Sequence, residues 1–311
     1  MSNTLGFVFP GQGSQQLGML SELAALYPSI QETFEQSSEA LGFDLWAMVQ
    51  SGEESVLNAT ENTQPALLTA SVALWRLWGQ LSEAKPVVLA GHSLGEYSAL
   101  VCAGALTLEE GVRLVRRRGE LMQQAVAPGA GAMAAILGLD DEAVRLACLE
   151  AAKQGGVVAP VNFNCPGQVV IAGEKAAVER GILACKEAGA KRAIELPVSV
   201  PSHCELMKPA ADELAASFAR LNFVTPSLPI VQNVDANIAD DLVILQKNVL
   251  SQLYNPVLWT ASVQRMSEMG VTALVECGPG KVLCGLNKKI DRSLEVVSIC
   301  DVAGLEKALS L

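Results

Sequence analysis

Three short apolar runs, each ending at a glycine turn and each followed by a helix-compatible stretch, constrain this chain more than any other feature. They are Leu5 to Phe9 before Pro10-Gly11, Pro86 to Ala90 before Gly91, and Thr272 to Val275 before Glu276-Cys277-Gly278-Pro279-Gly280. Strand, glycine turn and helix repeated in this way predict an α/β architecture with a parallel sheet. Ligands bind such sheets at the carboxyl ends of the strands, so the three turns predict one site.

The stretch from 128 to 201 departs from that pattern. Between Pro128-Gly-Ala-Gly131 and Pro197-Val-Ser-Val-Pro201 it reads as strand 131–137, helix 140–153, strand 157–163, strand 168–173 after the turn Cys165-Pro166-Gly167, helix 174–188 and strand 191–196. The order βαββαβ is that of a ferredoxin-like unit. The expectation is a ferredoxin-like small subdomain, 128–201, inserted into a discontinuous α/β-hydrolase-like catalytic domain of 1–127 and 202–311, with a cleft between the two. A chain of 311 residues, 50% hydrophobic and 18% charged, can fill such a core and is not disordered.

A net charge of −11 argues against a general nucleic-acid binder or a polybasic membrane-surface protein. Four Trp, three Tyr and seven Phe also give few stacking platforms, which favours a small or flexible substrate. The eight cysteines are spread without a Cys-x-x-Cys pair and read as buried, reduced thiols. Neither a signal peptide nor a bilayer-spanning run is evident, so the expected compartment is cytoplasmic.

Gly91-His92-Ser93-Leu94-Gly95 is the sharpest local signal, because it follows an apolar run and opens a helix. Gly-x-Ser-x-Gly in that context is a nucleophile elbow: small residues on both sides permit a strained turn that exposes the serine, and the next backbone N–H points at a developing oxyanion. Ser93-Leu-Gly-Glu96 also fits a capping box, in which the serine only satisfies a helix terminus.

A nucleophilic serine needs a base, and only two histidines exist. His92 adjoins Ser93 on a tight turn, where neighbouring side chains diverge. His203, in Pro201-Ser-His-Cys204, sits where the inserted segment returns to the large body and is the better base. No acid between 93 and 203 stands in an obvious strand-end loop, so a neutral group is expected to orient His203. That weakens an ordinary hydrolase reading, whose order is Ser, acid, His.

Arg118 falls in the middle of the apolar stripe made by Leu114, Val115, Leu121 and Met122, whereas Arg113, Arg116 and Arg117 fall on the polar side. An unpaired arginine is too costly to bury, so Arg118 should meet a carboxylate of the protein or of a ligand. If it is a ligand's, the substrate bears a free carboxylate.

The first glycine turn, Phe9-Pro-Gly-Gln12-Gly-Ser, has neither dinucleotide nor P-loop spacing. The Gln12 backbone N–H could instead be a second oxyanion donor. The third turn reads as a cleft wall or simply as a tight turn. No metal-ligand spacing is present.

Taken together, Pro-Gly-Gln-Gly-Ser-Gln at 10–15, Gly-His-Ser-Leu-Gly-Glu-Tyr at 91–97, Arg118-Gly119, Val-Pro-Ser-His-Cys at 200–204 and Tyr-Asn-Pro-Val-x-Trp at 254–259 resemble the malonyl-CoA:acyl carrier protein transacylases over nearly the whole chain. The resemblance implies that Ser93 takes the malonyl group from coenzyme A, His203 is base and then acid, and Arg118 holds the free carboxylate. It also implies that the backbone N–H groups of Gln12 and Leu94 form the oxyanion hole and that the Gln252 backbone carbonyl orients His203. Acyl carrier protein then accepts the group. No cofactor is implied, since the coenzyme A thioester is a substrate, and fatty acid synthesis is the implied setting.

An acidic carrier meeting this acidic chain requires a local positive surface, with Arg113, Arg116, Arg117, Lys191, Arg192, Lys208, Lys281, Lys288 and Lys289 as candidates. Two other readings are a serine esterase or thioesterase using the same elbow, and a non-catalytic docking protein.

Overall fold

The computed structural model describes residues 3–198 and 200–311. Its strands are Leu5–Phe9 (β1), Val88–Gly91 (β2), Gly131–Leu137 (β3), Val158–Cys165 (β4), Gln168–Glu174 (β5), Arg192–Glu195 (β6), Ile230–Val231 (β7), Ala273–Glu276 (β8) and Glu295–Ser298 (β9). The three apolar runs become neighbours at the centre of a five-stranded sheet of order β7-β2-β1-β8-β9, with every pairing parallel.

Alternation along β1 explains why it is apolar throughout. Phe7 and Phe9 enter one layer, where Trp75 and Trp78 meet Phe7 edge-on. Val8 enters the opposite layer with Val88, Ala90 and Trp259. Both faces are covered, as parallel sheets require. Parallel pairing also carries the segments after β1, β2, β7 and β8 to one edge of the sheet.

β2 begins at Val88 rather than Pro86, because a proline nitrogen has no hydrogen to give to a ladder. The two-residue β7 is too short to leave a periodic signal. Beyond Ile290, where no motif guides the reading, β9 forms the sheet edge and the helix Val302–Leu309 follows it.

The second sheet is antiparallel, of order β4-β5-β3-β6. Its elements run β3, helix Asp141–Ala152, β4, β5, helix Lys175–Glu187, β6. Ala134, Ile136, Val169 and Ile171 pack against the two helices. The opposite face presents Met133, Val161, Val170 and Ala172 to Cys204. β4 is bulged around Val161. There Val257 donates to the Val161 carbonyl at 2.9 Å and accepts from the Phe163 N–H at 3.0 Å, tying this sheet to the chain beyond Gln252.

All eight cysteines are free thiols, but they are not uniformly buried. Cys102, Cys284 and Cys300 are half-buried, and the other five are buried. Among the described residues, no helix is long and apolar enough to cross a membrane.

Candidate active site

β2 passes into the helix Leu94–Cys102 through a turn that only a narrow set of residues permits. Ser93 has φ 53° and ψ −110°, a conformation that costs an L-residue energy. A Cβ on Gly91 would overlap the backbone of Gly95 and Glu96, and a Cβ on Gly95 would overlap the Phe9 carbonyl. Asn233, just beyond β7, clamps the turn: its Oδ1 accepts from the Ser93 N–H at 2.8 Å and its Nδ2 donates to the Gly91 carbonyl at 2.6 Å. The Ser93 side chain makes no capping bond. Its Oγ lies 2.7 Å from Nε2 of His203.

His203 also has a positive φ, 66°, and its backbone N–H donates to the Leu253 carbonyl at 2.9 Å. Its Nδ1 is 2.7 Å from the Gln252 carbonyl oxygen. A carbonyl only accepts, so Nδ1 carries the hydrogen and Nε2 turns a lone pair to the Ser93 hydroxyl. Burial, reinforced by the nearby Arg118 guanidinium, pushes the His203 pKa down to about 3. The ring is therefore neutral at ordinary pH. His92 points elsewhere, with Nε2 at 2.8 Å from Asn164 Oδ1 and its ring near Trp259.

Arg118 is buried, and it meets no carboxylate of the protein in an ion pair among the described residues. Two neutral amides hold it instead. Nη1 donates to Gln64 Oε1 at 2.9 Å and Nη2 to Gln252 Oε1 at 3.0 Å, with Ser93 Oγ 3.4 Å from Nη2. The guanidinium lies over the Tyr97 ring, 5.1 Å from its centroid. Its Nε has no hydrogen-bond partner. A buried cation beside a serine hydroxyl, with no carboxylate of the protein against it among the described residues, can pair with an anion.

Ser93, His203, Arg118 and Gln12 line one cavity of about 560 Å³, with Asn162 and Leu283 among its other walls. Among the described residues, neither the Gln12 nor the Leu94 backbone N–H donates to a protein acceptor. The third glycine turn braces the first, since a Cβ on Gly278 would overlap the Pro10 ring. The buried Glu276 carboxylate caps the next helix by accepting from the Leu283 and Cys284 N–H groups at 3.1 and 2.8 Å. Leu283 and Leu286 of that helix line the cavity.

Sequence reading missed Gln64, Asn233, the Gln252 side chain and the role of Glu96 beyond a cap. Glu96 is buried and accepts from Gln252 Nε2 at 2.7 Å. Burial pushes its carboxyl up to about 7. Among the basic candidates, Arg116 and Arg117 pair with Glu120, Lys208 with Asp212 and Lys281 with Asp301. Arg113, whose Nε donates to the Ala40 carbonyl at 2.9 Å, and Lys191, Arg192, Lys288 and Lys289 are exposed and form no ion pair among the described residues.

Residues 6–309 match the acyl transferase domain family. The malonyl CoA-acyl carrier protein transacylase of Salmonella typhimurium is 57% identical over 304 residues, covering 98% of each chain. A crystal structure of an acyl carrier protein S-malonyltransferase from Vibrio cholerae superposes with a TM-score of 0.96 at 59% identity, covering 98% of this chain and 99% of that one. A malonyl-transacylase in complex with its type II PKS acyl-carrier protein superposes with a TM-score of 0.97 at 55% identity, over 98% of this chain and 99% of that one. The chain belongs to the acyl transferase family and, within it, to the malonyl-CoA:acyl carrier protein transacylases.

Proposed function

We propose that this protein transfers a malonyl group from malonyl-CoA to the phosphopantetheine thiol of acyl carrier protein through an ester on Ser93. The observation that carries this reading is the juxtaposition of the Ser93–His203 pair with a buried guanidinium that has no protein counter-ion. An esterase needs the first two residues but has no use for the third.

In the first half-reaction the Ser93 hydroxyl passes its proton to His203 Nε2 as its oxygen attacks the thioester carbonyl. The oxyanion of the tetrahedral intermediate is received by the Gln12 and Leu94 N–H groups. Collapse breaks the C–S bond, and His203 returns the proton to the departing coenzyme A thiolate. In the second half-reaction the carrier thiol gives its proton to His203, its sulfur attacks the ester, and Ser93 recovers the proton. Through both, Arg118 pairs with the distal carboxylate, and the Gln252 carbonyl keeps the imidazole in the required tautomer. These groups supply the chemistry without a cofactor or metal.

Residues 1–127 and 202–311 are then an α/β-hydrolase-like catalytic domain, and 128–201 a ferredoxin-like subdomain that closes the cleft. The exposed cations Lys191, Arg192, Lys288 and Lys289 receive the acidic carrier, and the enzyme works in the cytoplasm, in fatty acid synthesis. Steady-state kinetics with malonyl-CoA and holo-carrier varied together test the mechanism: a ping-pong path gives parallel double-reciprocal lines, and intersecting lines contradict it.

A further inference from the structure

One amide lies between the buried Arg118 and the buried Glu96. Gln252 Oε1 accepts from Arg118 Nη2 at 3.0 Å, and Gln252 Nε2 donates to Glu96 Oε2 at 2.7 Å. Its orientation is forced by its neighbours. A guanidinium only donates and an ionised carboxylate only accepts, so exchanging the amide oxygen and nitrogen would create two repulsive contacts in a dry site.

Glu96 meets only donors: Gln252 Nε2, Gln232 Nε2 at 3.2 Å and the Asn233 N–H at 3.3 Å. None of the three offers an acceptor for a carboxyl proton, so this donor set favours the ionised form against the desolvation that opposes it. The same Gln252 holds His203 through its main-chain carbonyl at 2.7 Å. One residue therefore steadies the base with its backbone and the guanidinium with its side chain; its Nε2 also donates to the Ser93 carbonyl at 2.9 Å and to Asn233 Oδ1 at 3.3 Å, and Glu96 is the nearest and the only charged one of these three acceptors.

We propose that Glu96 is a positioning residue for acyl-group selection: acting through the Gln252 side chain, it holds the Arg118 guanidinium beside Ser93, ready for the distal carboxylate of the acyl group. Among the described residues, Glu96 bonds to neither the Ser93 hydroxyl nor the His203 ring. The inference rests on the reading of Arg118 as the carboxylate clamp.

The experiment compares wild type, Glu96→Gln and Gln252→Met, each with malonyl-CoA and with acetyl-CoA, and repeats both substitutions in an Arg118→Ala background. Glu96→Gln keeps the volume but removes the charge and turns an NH₂ either toward Gln232 Nε2 or toward Gln252 Nε2 and the Asn233 N–H together. Gln252→Met cuts the same link from the other side, together with the amide's bonds to the Ser93 carbonyl and Asn233 Oδ1, and leaves the carbonyl on His203 in place. The expected result is a fall of about tenfold or more in the malonyl-to-acetyl ratio of kcat/KM for each variant, carried mainly by a higher KM for malonyl-CoA. In the Arg118→Ala background neither substitution lowers the ratio further.

Equal losses for the two substrates, or a further fall once Arg118 is gone, overturn the proposal. If Glu96→Gln fails to fold, Gln252→Met decides by the same criteria. A wild type that is never malonylated on Ser93 overturns the transacylase reading and this proposal with it. A malonylated wild type whose variants keep its ratio overturns this proposal alone.

Discussion

Ser93 and His203 meet across 2.7 Å from two backbone positions of the same uncommon kind, with φ of 53° and 66° respectively. Neither is glycine, so each conformation costs energy that the surrounding structure must offset. Asn233 and the close glycines do so at Ser93, and the bonds to the Leu253 and Gln252 carbonyls do so at His203. The hydroxyl and the base are thus aligned before substrate arrives, which is what proton transfer at the moment of attack requires.

That alignment depends on backbone-to-backbone approach at the elbow. Gly95→Ala and Gly91→Ala should each destabilise the fold by roughly 1–3 kcal/mol or more and remove acylation, since the added methyl meets backbone atoms that cannot step aside. Gly79→Ala, in the helix Thr60–Leu81 with open space at its Cβ, should instead stabilise by about 0.5–1 kcal/mol. Urea denaturation of the three variants checks both signs.

Arg118 should govern which acyl group is taken. Arg118→Ala is expected to weaken transition-state binding of malonyl relative to acetyl by about 2–4 kcal/mol, the value of a shielded charge-assisted pair. Arg118→Lys keeps the charge but loses the planar fork, so its discrimination should fall between the two. Rates with malonyl-CoA and acetyl-CoA measure this, and equal losses would count against the clamp.

Stability should depend on pH through His203. In the native protein its pKa is about 3, against an ordinary 6.5, so between those values the unfolded chain binds the proton and the native state does not. Native stability therefore falls as pH is lowered from 6.5 toward 3. Glu96 acts in the opposite direction: its carboxyl is raised from 4.5 to about 7, so its contribution falls as pH rises through that window. Because the slopes oppose, the comparison is with a variant. His203→Gln should lose less stability than wild type between pH 6.5 and 5, measured as the urea midpoint.

Carrier docking should be electrostatic despite the net charge of −11. Raising salt is expected to increase the KM for the carrier. The double substitutions Lys191→Glu/Arg192→Glu and Lys288→Glu/Lys289→Glu should flatten that dependence. A flat profile in wild type would contradict it.

What the sequence disclosed follows from the range over which each feature is determined. The elbow was legible because strand, two glycines and helix lie within about ten residues and state a local geometry. Arg118 stood out because a charge on an apolar stripe breaks a helical pattern, whereas the amides of Gln64 and Gln252 that hold it are 54 and 134 positions away and leave no such mark. The carbonyl that orients His203 carries no residue signature, since every residue has one, and only the family resemblance pointed to Gln252. Asn233 and Glu96 were illegible for another reason. They meet across 137 positions of chain, and only the closing of β7 against β2 brings them together.

The most direct test is intact mass after brief exposure to malonyl-CoA, beside Ser93→Ala and followed by holo-carrier. A single malonyl adduct that requires Ser93 and passes to the carrier thiol is the predicted result. An unmodified protein with free coenzyme A accumulating would mean hydrolysis, and no adduct with no turnover would mean a docking protein; either contradicts transfer through Ser93.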